Sequence, residues 1–340
     1  MWYLGGFIKF LLDTKGERYK ISFVSNFVDL LDKKTKLSGA LLGGIMLAAV
    51  TSLPELFTSL TATVGLGNNK LVLGNIMGSD FFDIIIFGVV YFLFFKKLTE
   101  GKVGKQHYYT IFFTALMVTA VTIAAFVFSM NGWLIGYFNP MSLVIIAIYV
   151  ISILKTPATA EKEKEEDTSK LTVKQIWILF TVCSVLLIGA SIAVTYVTDA
   201  VVDFLGIGDT FGGSLFLGVA TSLPEVTATI SLFKKKNFDA AYGDIFGSCV
   251  FNIIILALAD ALSFFPGMGS IYAIDTSSLM LIIGTLFALL ISLISITYIR
   301  SPKFKNNVGS RIFVYTCGAL LIASYIVYLV LSNTLPVQPI

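Results

Sequence analysis

Apolar stretches of about 20 residues recur along nearly the whole of this 340-residue chain. A helix needs about that many apolar residues to cross the roughly 30 Å of hydrocarbon in a bilayer. Hydrophobic residues make up 56% of the sequence and charged residues only 13%. A soluble domain carries about 25% charged residues, so its composition is quite different. The sequence therefore predicts an all-α integral membrane protein.

Nine segments are apolar and long enough to be predicted as membrane spans. They are residues 39–64, 71–95, 108–130, 133–154, 173–197, 211–233, 240–265, 277–299 and 312–331. Residues 1–12 form at most half a span, because the charged run at 13–20 cannot lie in hydrocarbon. Residues 21–31 predict an amphipathic helix at the membrane interface. We therefore expect about ten transmembrane helices, nine of them clear and the first degenerate.

Basic residues are concentrated in every second loop. The basic loops are 33–36, 96–105, 155–174, 234–236 and 300–311, and each connection between them holds at most one basic residue. Lys and Arg are enriched on the cytoplasmic side of membrane proteins. We therefore expect the loop 156–172 in the cytoplasm and the C-terminus outside. The short loops favour a prokaryotic plasma membrane, and the charged linker 156–172 divides the chain into halves, 1–155 and 173–340.

The two halves contain the same motif. The letters TSLPE at residues 51–55 recur at 221–225, and each copy is followed by a second block, GNIMGSDFFDIII from Gly74 and GDIFGSCVFNIII from Gly243. The repeated regions cover residues 43–86 and 213–255. The copies lie five spans apart, an odd number, so one is traversed inward and the other outward. This pattern predicts two inverted five-helix repeats, the architecture that builds midplane sites in secondary transporters.

The repeated residues suit a hard cation. Glu55 and Glu225 lie in spans without a basic residue, and a carboxylate in mid-bilayer costs at least a few kcal/mol unless it is paired or coordinated. Ca²⁺ takes six to eight oxygen ligands. Pro54 and Pro224 each free a backbone carbonyl about one turn earlier, with Ala48 and Gly218 close by. The side chains predicted to supply further oxygens are Thr51, Ser52, Thr221, Ser222, Ser79, Ser248, Asp83 and Asn252.

Other residues of the repeats leave alternatives open. Asp80 and Asp244 are second-rank candidates that fit ligands, proton carriers or interfacial residues equally well. Glycines spaced by four, at 74 and 78 and at 243 and 247, allow close helix approach but also occur in ordinary helix packing. Ser-Leu-Pro-Glu is also a helix capping box. Two copies in apolar spans, each with a second motif, favour the cation site over capping alone.

On these motifs the chain resembles the cation/Ca²⁺ exchanger superfamily, and within it the sodium/calcium exchanger branch with two alpha repeats. The resemblance implies a ten-helix fold of inverted five-helix halves and alternating access by sliding of a gating bundle. It also implies that Glu55 and Glu225 are central ligands of Ca²⁺ and of competing Na⁺. The further ligands that the resemblance implies are Thr51, Ser52, Ser79, Thr221, Ser222, Ser248 and the carbonyls of Ala48 and Gly218.

The chain departs from the family pattern at several positions. Val50 and Ala220 precede TSLPE where glycine is common. The polar residue after the Gly-Ser pair is Asp83 in the first repeat and Asn252 in the second, whereas family members commonly have Asn in the first repeat and Asn or Asp in the second. Asp80 and Asp244 stand where asparagine is frequent, and such carboxylates would favour H⁺ as the counter-ion. H⁺/Ca²⁺ exchange and export of another divalent cation such as Mn²⁺ or Mg²⁺ are therefore alternatives to Na⁺/Ca²⁺ exchange. Stoichiometry, direction of flux and oligomeric state are not predicted.

Other classes of function fit the sequence poorly. The chain has no GxxxxGK[ST] nucleotide loop, and its net charge of +3 is too small to suggest nucleic-acid binding. GIGD at 206–209 matches an intramembrane protease motif but falls in a predicted outer loop, and paired central carboxylates suit a carrier better than a channel. Cys183, Cys249 and Cys317 are interpreted as small core residues and His107 as a solvated or headgroup-facing side chain rather than a ligand. The prediction is a transporter without cofactors rather than an enzyme.

Overall fold

A computed structural model describes residues 52–100, 103–131, 138–157, 172–234, 236–263 and 270–334. These residues are nearly all helical. The α-helices are α1 (Leu53–Leu60), α2 (Asn69–Leu98), α3 (Gln106–Asn131), α4 (Met141–Lys155), α5 (Val173–Leu205), α6 (Asp209–Gly212), α7 (Val219–Thr221), α8 (Leu223–Lys234), α9 (Phe238–Leu262), α10 (Thr276–Ile299) and α11 (Val308–Thr334). The predicted interfacial helix at 21–31 and most of the first predicted span lie outside the described residues.

Six of the described helices are long and apolar enough to cross a membrane. They are α2, α3, α5, α9, α10 and α11, and the pair of segments Asp209–Thr221 and Leu223–Lys234, bent by 45°, would make a seventh. The chain is therefore a multi-pass membrane protein, while the count of ten helices stays a prediction. α4 begins at Met141 rather than near residue 133, because Pro140 lies at its N-cap and Asn139 Oδ1 accepts the Met141 N–H at 2.9 Å.

The first TSLPE segment lies at the start of α1, and the second lies at a break between two helices. α1 has Pro54 in its first turn and continues into a π-helical segment, Thr61–Leu66. In the second copy, a π-helical segment at Gly213–Gly218 and the short α7 end at Ser222, where α8 begins with Leu223 and Pro224. Proline has no N–H, so the carbonyl four residues earlier, at Ala220, receives no helical hydrogen bond from it.

Glycines let α2 cross the second broken segment with backbone against backbone. A methyl group on Gly213 would lie 2.6 Å from the carbonyl oxygen of Leu71, and one on Gly218 would lie 2.8 Å from the backbone nitrogen of Ser79. From the other side, methyl groups on Gly74 and Gly78 would overlap Thr210 and Ser214. The close approach predicted for Gly74 and Gly78 is therefore confirmed.

Loops predicted to share one side of the membrane meet in the structure. Lys236 forms an ion pair with Glu100, which lowers the pKa of the Glu100 carboxyl, and Lys97 Nζ donates to the Lys234 carbonyl at 3.1 Å. Asp239 Oδ1 accepts from the backbone N–H of Gly104 at 2.8 Å. These contacts define the basic end of the molecule, residues 96–105 and 234–239.

The opposite end carries most of its charge as aspartate. Asn68 Nδ2 donates to Asp199 Oδ1 and to Asp209 Oδ1, each at 3.1 Å. Lys70 Nζ lies 3.6 Å from Asp275 Oδ2. These contacts join the connections 65–70, 198–210 and 270–275, and they define the acidic end. Each set of contacts therefore joins connections that the charge pattern assigns to the same side.

The prediction that His107 is solvated is wrong. Its side chain is only 4% exposed, and its Nε2 lies 2.8 Å from Asp239 Oδ1. The ring of Tyr242 also lies near His107, with 5.9 Å between the centroids of the two rings. His107 is the second residue of α3, and its side chain packs against α9. A residue near the end of a span is therefore buried between two helices.

Aromatic side chains fill the space next to the basic end. The ring of Phe87 stacks on Phe246 at a centroid distance of 5.3 Å. Tyr91 and Tyr242, both buried, join their hydroxyls at 2.8 Å, and the Tyr91 hydroxyl also lies 2.8 Å from Ser295 Oγ. These residues lie along α2 and α9 between the acidic side chains of both helices and the basic loops. They form a dense apolar layer with its polar tips satisfied.

Replacing Gly88 tests a second close crossing, between α2 and α11. A methyl group on Gly88 would lie 2.8 Å from the carbonyl oxygen of Gly318. Overpacking of this kind costs about 1–3 kcal/mol, so Gly88→Ala should lower the unfolding temperature of the purified protein in detergent. Gly189→Ala in α5 is the matched control, since nothing lies within 4 Å of the added atom. Equal behaviour of the two variants would contradict the crossing.

Candidate cation site

The two repeated glutamates are buried in the first turns of their helices. Glu55 in α1 and Glu225 in α8 are each only 1% exposed. Glu55 Oε2 and both carboxylate oxygens of Glu225 have no hydrogen-bond partner among the described residues. The side chains are near enough for each carboxylate to act electrostatically on the other. The structure therefore brings together the two residues that the repeat singles out.

The capping-box alternative is wrong for the first copy. Ser52 is the N-cap residue of α1, but its side chain makes no capping hydrogen bond, and its hydroxyl has no partner among the described residues. The hydroxyl of Ser222, its counterpart, is likewise buried without such a partner. Hydroxyls that served only as caps would be bonded to backbone N–H groups. Both are instead free to contact a ligand.

Hydroxyls and a carbonyl from both halves meet where α2 crosses the second broken segment. Ser79 Oγ lies 3.1 Å from Thr221 Oγ1 and donates to the Gly218 carbonyl at 3.3 Å. Thr221 also lies next to the Glu55 carboxylate. Three of the predicted oxygen ligands therefore come together with Glu55, because the glycine crossing places α2 directly against residues 213–218.

The acidic residues of α2 extend the same cluster. Asp83 is 1% exposed, and neither of its carboxylate oxygens has a described hydrogen-bond partner, although Ser222 lies beside it. Asp80 is fully buried, with Oδ1 accepting from Asn252 Nδ2 at 2.9 Å and Oδ2 unpartnered. Asp80, a second-rank candidate, therefore lies with the first-rank residues rather than at an interface with lipid.

Two of the predicted site residues lie on α9, and their connection to the glutamates is less direct than that of the α2 residues. Ser248 is buried, but its hydroxyl donates to the Ile245 carbonyl at 2.8 Å within its own helix. Asp244 is 6% exposed, lies next to Thr229 and has an unpartnered Oδ2. It acts electrostatically on Asp83 and Glu225. Thr51 and Ala48 lie outside the described residues.

Sequence reasoning missed the role of Asn75. Its Nδ2 donates to Thr58 Oγ1 at 2.8 Å and to Ser59 Oγ at 3.2 Å, and so it holds α1 against α2. Asp244 occupies the same place in the second block and lies next to Thr229 of α8. The signal was present in the sequence, since each block has a polar residue directly after its first glycine.

The interpretation of Cys249 as a small core residue is confirmed, since its side chain is fully buried in the apolar core. Cys249 directly follows Ser248 and stands where the first block has Asp80.

The buried acidic side chains of this cluster favour the binding of cations. Five acidic side chains are buried near one another, namely Glu55, Asp80, Asp83, Glu225 and Asp244. None forms an ion pair with a basic residue that the structure describes. Uncompensated carboxylates are costly in a membrane interior. The donors around them are carboxylate, hydroxyl, amide and carbonyl oxygens, the set that hard cations such as Ca²⁺ prefer.

The carboxylates do not converge on one point in this conformation. Across the described ranges, no three His, Cys, Asp or Glu side chains are close enough to hold one metal ion. A cation held here would therefore be ligated by one or two carboxylates together with neutral oxygens. The arrangement offers several adjoining positions along α2 rather than one compact acidic cage.

Comparison with known proteins identifies the fold and the family. The family model described as "Sodium/calcium exchanger protein" matches residues 21–155 and 175–333. The "Sodium/calcium exchanger MaX1" of Methanosarcina acetivorans is 24% identical over 359 aligned positions, which cover 92% of this chain and 95% of that protein.

Solved structures share the fold over most of its length. A crystal structure of the H⁺/Ca²⁺ exchanger CAX matches with a TM-score of 0.60 at 17% identity and covers 92% of this chain and 86% of that one. The sodium-calcium exchanger NCX_Mj, soaked with Na⁺ and Sr²⁺, matches with a TM-score of 0.56 at 19% identity and covers 92% and 94%. Since the family model covers most of the sequence, the chain belongs to the sodium/calcium exchanger protein family.

Proposed function

We propose that this protein is a secondary active antiporter, not an enzyme, that exchanges Ca²⁺ for Na⁺ by alternating access. The observation that carries the proposal is the burial of Glu55 and Glu225 in the first turns of α1 and α8, with unpartnered oxygens and no described basic partner. A bound cation would supply the missing charge, and family membership supports cations as the cargo. The ions are substrates, and no resident cofactor or nucleotide is proposed.

The proposed ligand set centres on the two glutamates. Ser79, Thr221 and the Gly218 carbonyl surround Glu55 through the contacts described above. Ser52, Ser222, Asp83 and Asn252 add oxygens that have no described hydrogen-bond partner. Thr51, Ser248 and the Ala48 carbonyl complete the proposed set by repeat symmetry. Ca²⁺ and the counter-ion would share these oxygens, so binding of one would displace the other.

H⁺ is the alternative counter-ion. Relatives of both kinds resemble this chain, since MaX1 is named a sodium/calcium exchanger and CAX an H⁺/Ca²⁺ exchanger. Asp80, Asp83 and Asp244 add three buried carboxylates to the two glutamates, and each can carry a proton as readily as it can contact a metal ion. The preference for Na⁺ comes from the TSLPE motif in both halves.

The proposed architecture is a pair of inverted repeats, residues 1–155 and 173–340, joined by the linker 156–172. Two observations support it. α1 leads to the acidic end at Asn68, whereas α8 ends at Lys234 in the basic end. The motif regions 43–86 and 213–255 also use matching contacts, Asn75 with Ser59 and Asp244 with Thr229. In alternating access, the site would open to one end of the protein while the other end is closed, and the two halves would then exchange these roles.

The decisive experiment compares two driving gradients. Purified protein is reconstituted into liposomes, and ⁴⁵Ca²⁺ uptake is measured under an outward Na⁺ gradient or an outward H⁺ gradient at equal internal Ca²⁺. Uptake driven by Na⁺ alone is the expected result. Uptake driven only by H⁺ would establish the alternative and make Asp80, Asp83 and Asp244 the suspected proton carriers. Uptake with neither would refute Ca²⁺ antiport.

Neutralising either central glutamate should abolish exchange. Glu55→Gln and Glu225→Gln keep the shape of the side chain but remove the charge that balances the cation. Removing one partner from a buried charge pair costs about 3–5 kcal/mol, so Ca²⁺ exchange should fall roughly 100-fold or more. Glu100→Gln is the matched control, because Glu100 is exposed at the basic end. Full exchange in either buried variant would refute the ligand assignment.

We also propose that the basic end faces the cytoplasm of a prokaryotic cell, with the linker 156–172 inside and the C-terminus outside. The separation of loops into a basic and an acidic end supports this orientation, since positive loops remain in the cytoplasm. The acidic end would then face the outside, where it lies nearest to incoming cations.

Cysteine labelling tests the orientation. Lys303, in the loop after α10, and Asp203, in the last turn of α5, are exposed at opposite ends. Each is replaced by cysteine in a variant whose native cysteines are alanine. A membrane-impermeant maleimide should label Asp203→Cys in intact cells and Lys303→Cys only after the membrane is opened. The reverse pattern would invert the proposed topology.

A further inference from the structure

Two buried hydrogen-bond clusters lie at opposite ends of the protein, and each is built around one residue of a repeat. Gly74 and Gly243 begin the two repeated blocks, and Tyr91 and Asp260 stand at equal distances after them in the sequence. Tyr91 in α2 is 1% exposed, and Asp260 in α9 is fully buried. Neither belongs to the proposed ligand set. The repeats therefore place a buried polar side chain at the same position in both halves.

The basic-end cluster consists of Tyr91, Tyr242 and Ser295. The Tyr91 hydroxyl lies 2.8 Å from the Tyr242 hydroxyl and 2.8 Å from Ser295 Oγ. Ser295 gives its one hydroxyl hydrogen to the Ser292 carbonyl at 2.9 Å. Tyr91 therefore donates to Ser295 and accepts from Tyr242. The cluster joins α2 of the first half to α9 and α10 of the second half.

The acidic-end cluster consists of Asp260, Asn139, Ser142 and Tyr272, each at most 1% exposed. Asp260 Oδ2 accepts from the backbone N–H of Asn139 at 3.0 Å and from Ser142 Oγ at 2.8 Å. Because Ser142 donates to Asp260, the Tyr272 hydroxyl donates to Ser142, at 2.7 Å. The cluster joins α9 of the second half to the start of α4 in the first half.

The two clusters lie equally far from the candidate site, in opposite directions. Tyr91 follows Asp83 by about two helical turns, or about 12 Å, and Asp260 follows Asn252 by the same length. α2 runs from the acidic end to the basic end, whereas α9 begins at the basic end. The hydrogen bond between Asn252 and Asp80 joins the same two helices between the clusters. Each helix is thus held at the centre and at the end toward which it runs.

We infer that Tyr91 and Asp260 are positioning residues of the cation site, which act through α2 and α9 and do not bind the ion. Each side chain fixes its helix to the other half at one end of the protein. Loss of one cluster leaves the central bond and the other cluster in place, so each residue controls the approach of the ion from its own end. The inference rests on the proposed function, because it gives the clusters a part in transport.

The two residues differ in chemistry because their surroundings differ. The ring of Tyr91 packs against Phe87 in the aromatic layer, at a centroid distance of 6.0 Å. Asp260 instead meets the N-terminus of α4, where a negative charge is favoured by the helix dipole. A phenol and a carboxylate therefore serve the same purpose at the two ends.

The test removes one hydrogen-bonding group at a time. Tyr91→Phe removes the hydroxyl and keeps the ring, and Asp260→Ala removes the carboxylate. Asp260→Asn restores an oxygen that can accept both hydrogen bonds, so it should recover most of the lost effect. Tyr109→Phe and Asp203→Ala are the matched controls, since Tyr109 is exposed near the start of α3 and Asp203 is exposed in the last turn of α5.

Hydrogen–deuterium exchange of the purified variants measures positioning without transport. Loss of a buried hydrogen bond should speed exchange of the neighbouring backbone amides roughly 5- to 30-fold. Tyr91→Phe should do so in the last turns of α2 and the first turns of α9. Asp260→Ala should do so in the last turns of α9 and the first turn of α4. An equal increase at both ends, or no increase next to the altered residue, would overturn the inference.

Transport kinetics then separate positioning from a purely structural role. The KM for Ca²⁺ is measured at each face of the protein in right-side-out and inverted vesicles. Asp260→Ala should raise the KM at the acidic-end face roughly fivefold or more, with little change in kcat. Tyr91→Phe should raise the KM at the basic-end face by a similar factor. A role in stability alone would lower transport equally from both faces, and that result would overturn the inference.

Failure of this inference and failure of the proposed function give different results. Normal Ca²⁺ uptake by the unaltered protein, without end-specific exchange in the variants, refutes the paired positioning alone. End-specific exchange in variants of a protein that takes up no Ca²⁺ under either gradient supports the positioning of α2 and α9 and refutes Ca²⁺ antiport.

Discussion

Burial of carboxylates without described basic partners is the constraint on which the rest of this structure depends. Each such group would be costly among apolar helices, so the surrounding chain has to offer polar neighbours and a route for cations. The start of α1 at Pro54 and the helix break at Pro224 supply polar neighbours inside the protein. Apolar surface then covers these elements on the outside, where the long helices face lipid.

The close crossing of α2 with residues 213–218 turns two separate motifs into one site. Without side chains at Gly74 and Gly78, the backbone of one half contacts that of the other, and Ser79 reaches the Gly218 carbonyl. The hydrogen bond between Asn252 and Asp80 makes a second such link. Candidate ligands therefore come from both halves at once, and their geometry depends on how the halves are placed relative to each other.

Sequence patterns predicted the helical class, the long spans and the buried glutamates, because hydrophobic length and an exact repeat are local signals. They did not predict contacts between distant residues. The burial of His107 depends on Asp239, and the hydrogen bond that Asp80 accepts depends on Asn252, which only the folded chain brings close. The start of α4 was misplaced because apolar residues before Pro140 resemble a span. The ligand assignments and the inverted-repeat count remain predictions.

The buried acidic side chains also bear on how tightly the two ion flows are coupled. On the proposed function, a carrier with no ion bound would have to reorient while holding Glu55, Asp80, Asp83, Glu225 and Asp244 in a poorly polarisable interior. That transition is disfavoured as long as several of them are ionised. The protein would therefore reorient only with an ion bound, and flux of one ion without exchange of the other would be rare.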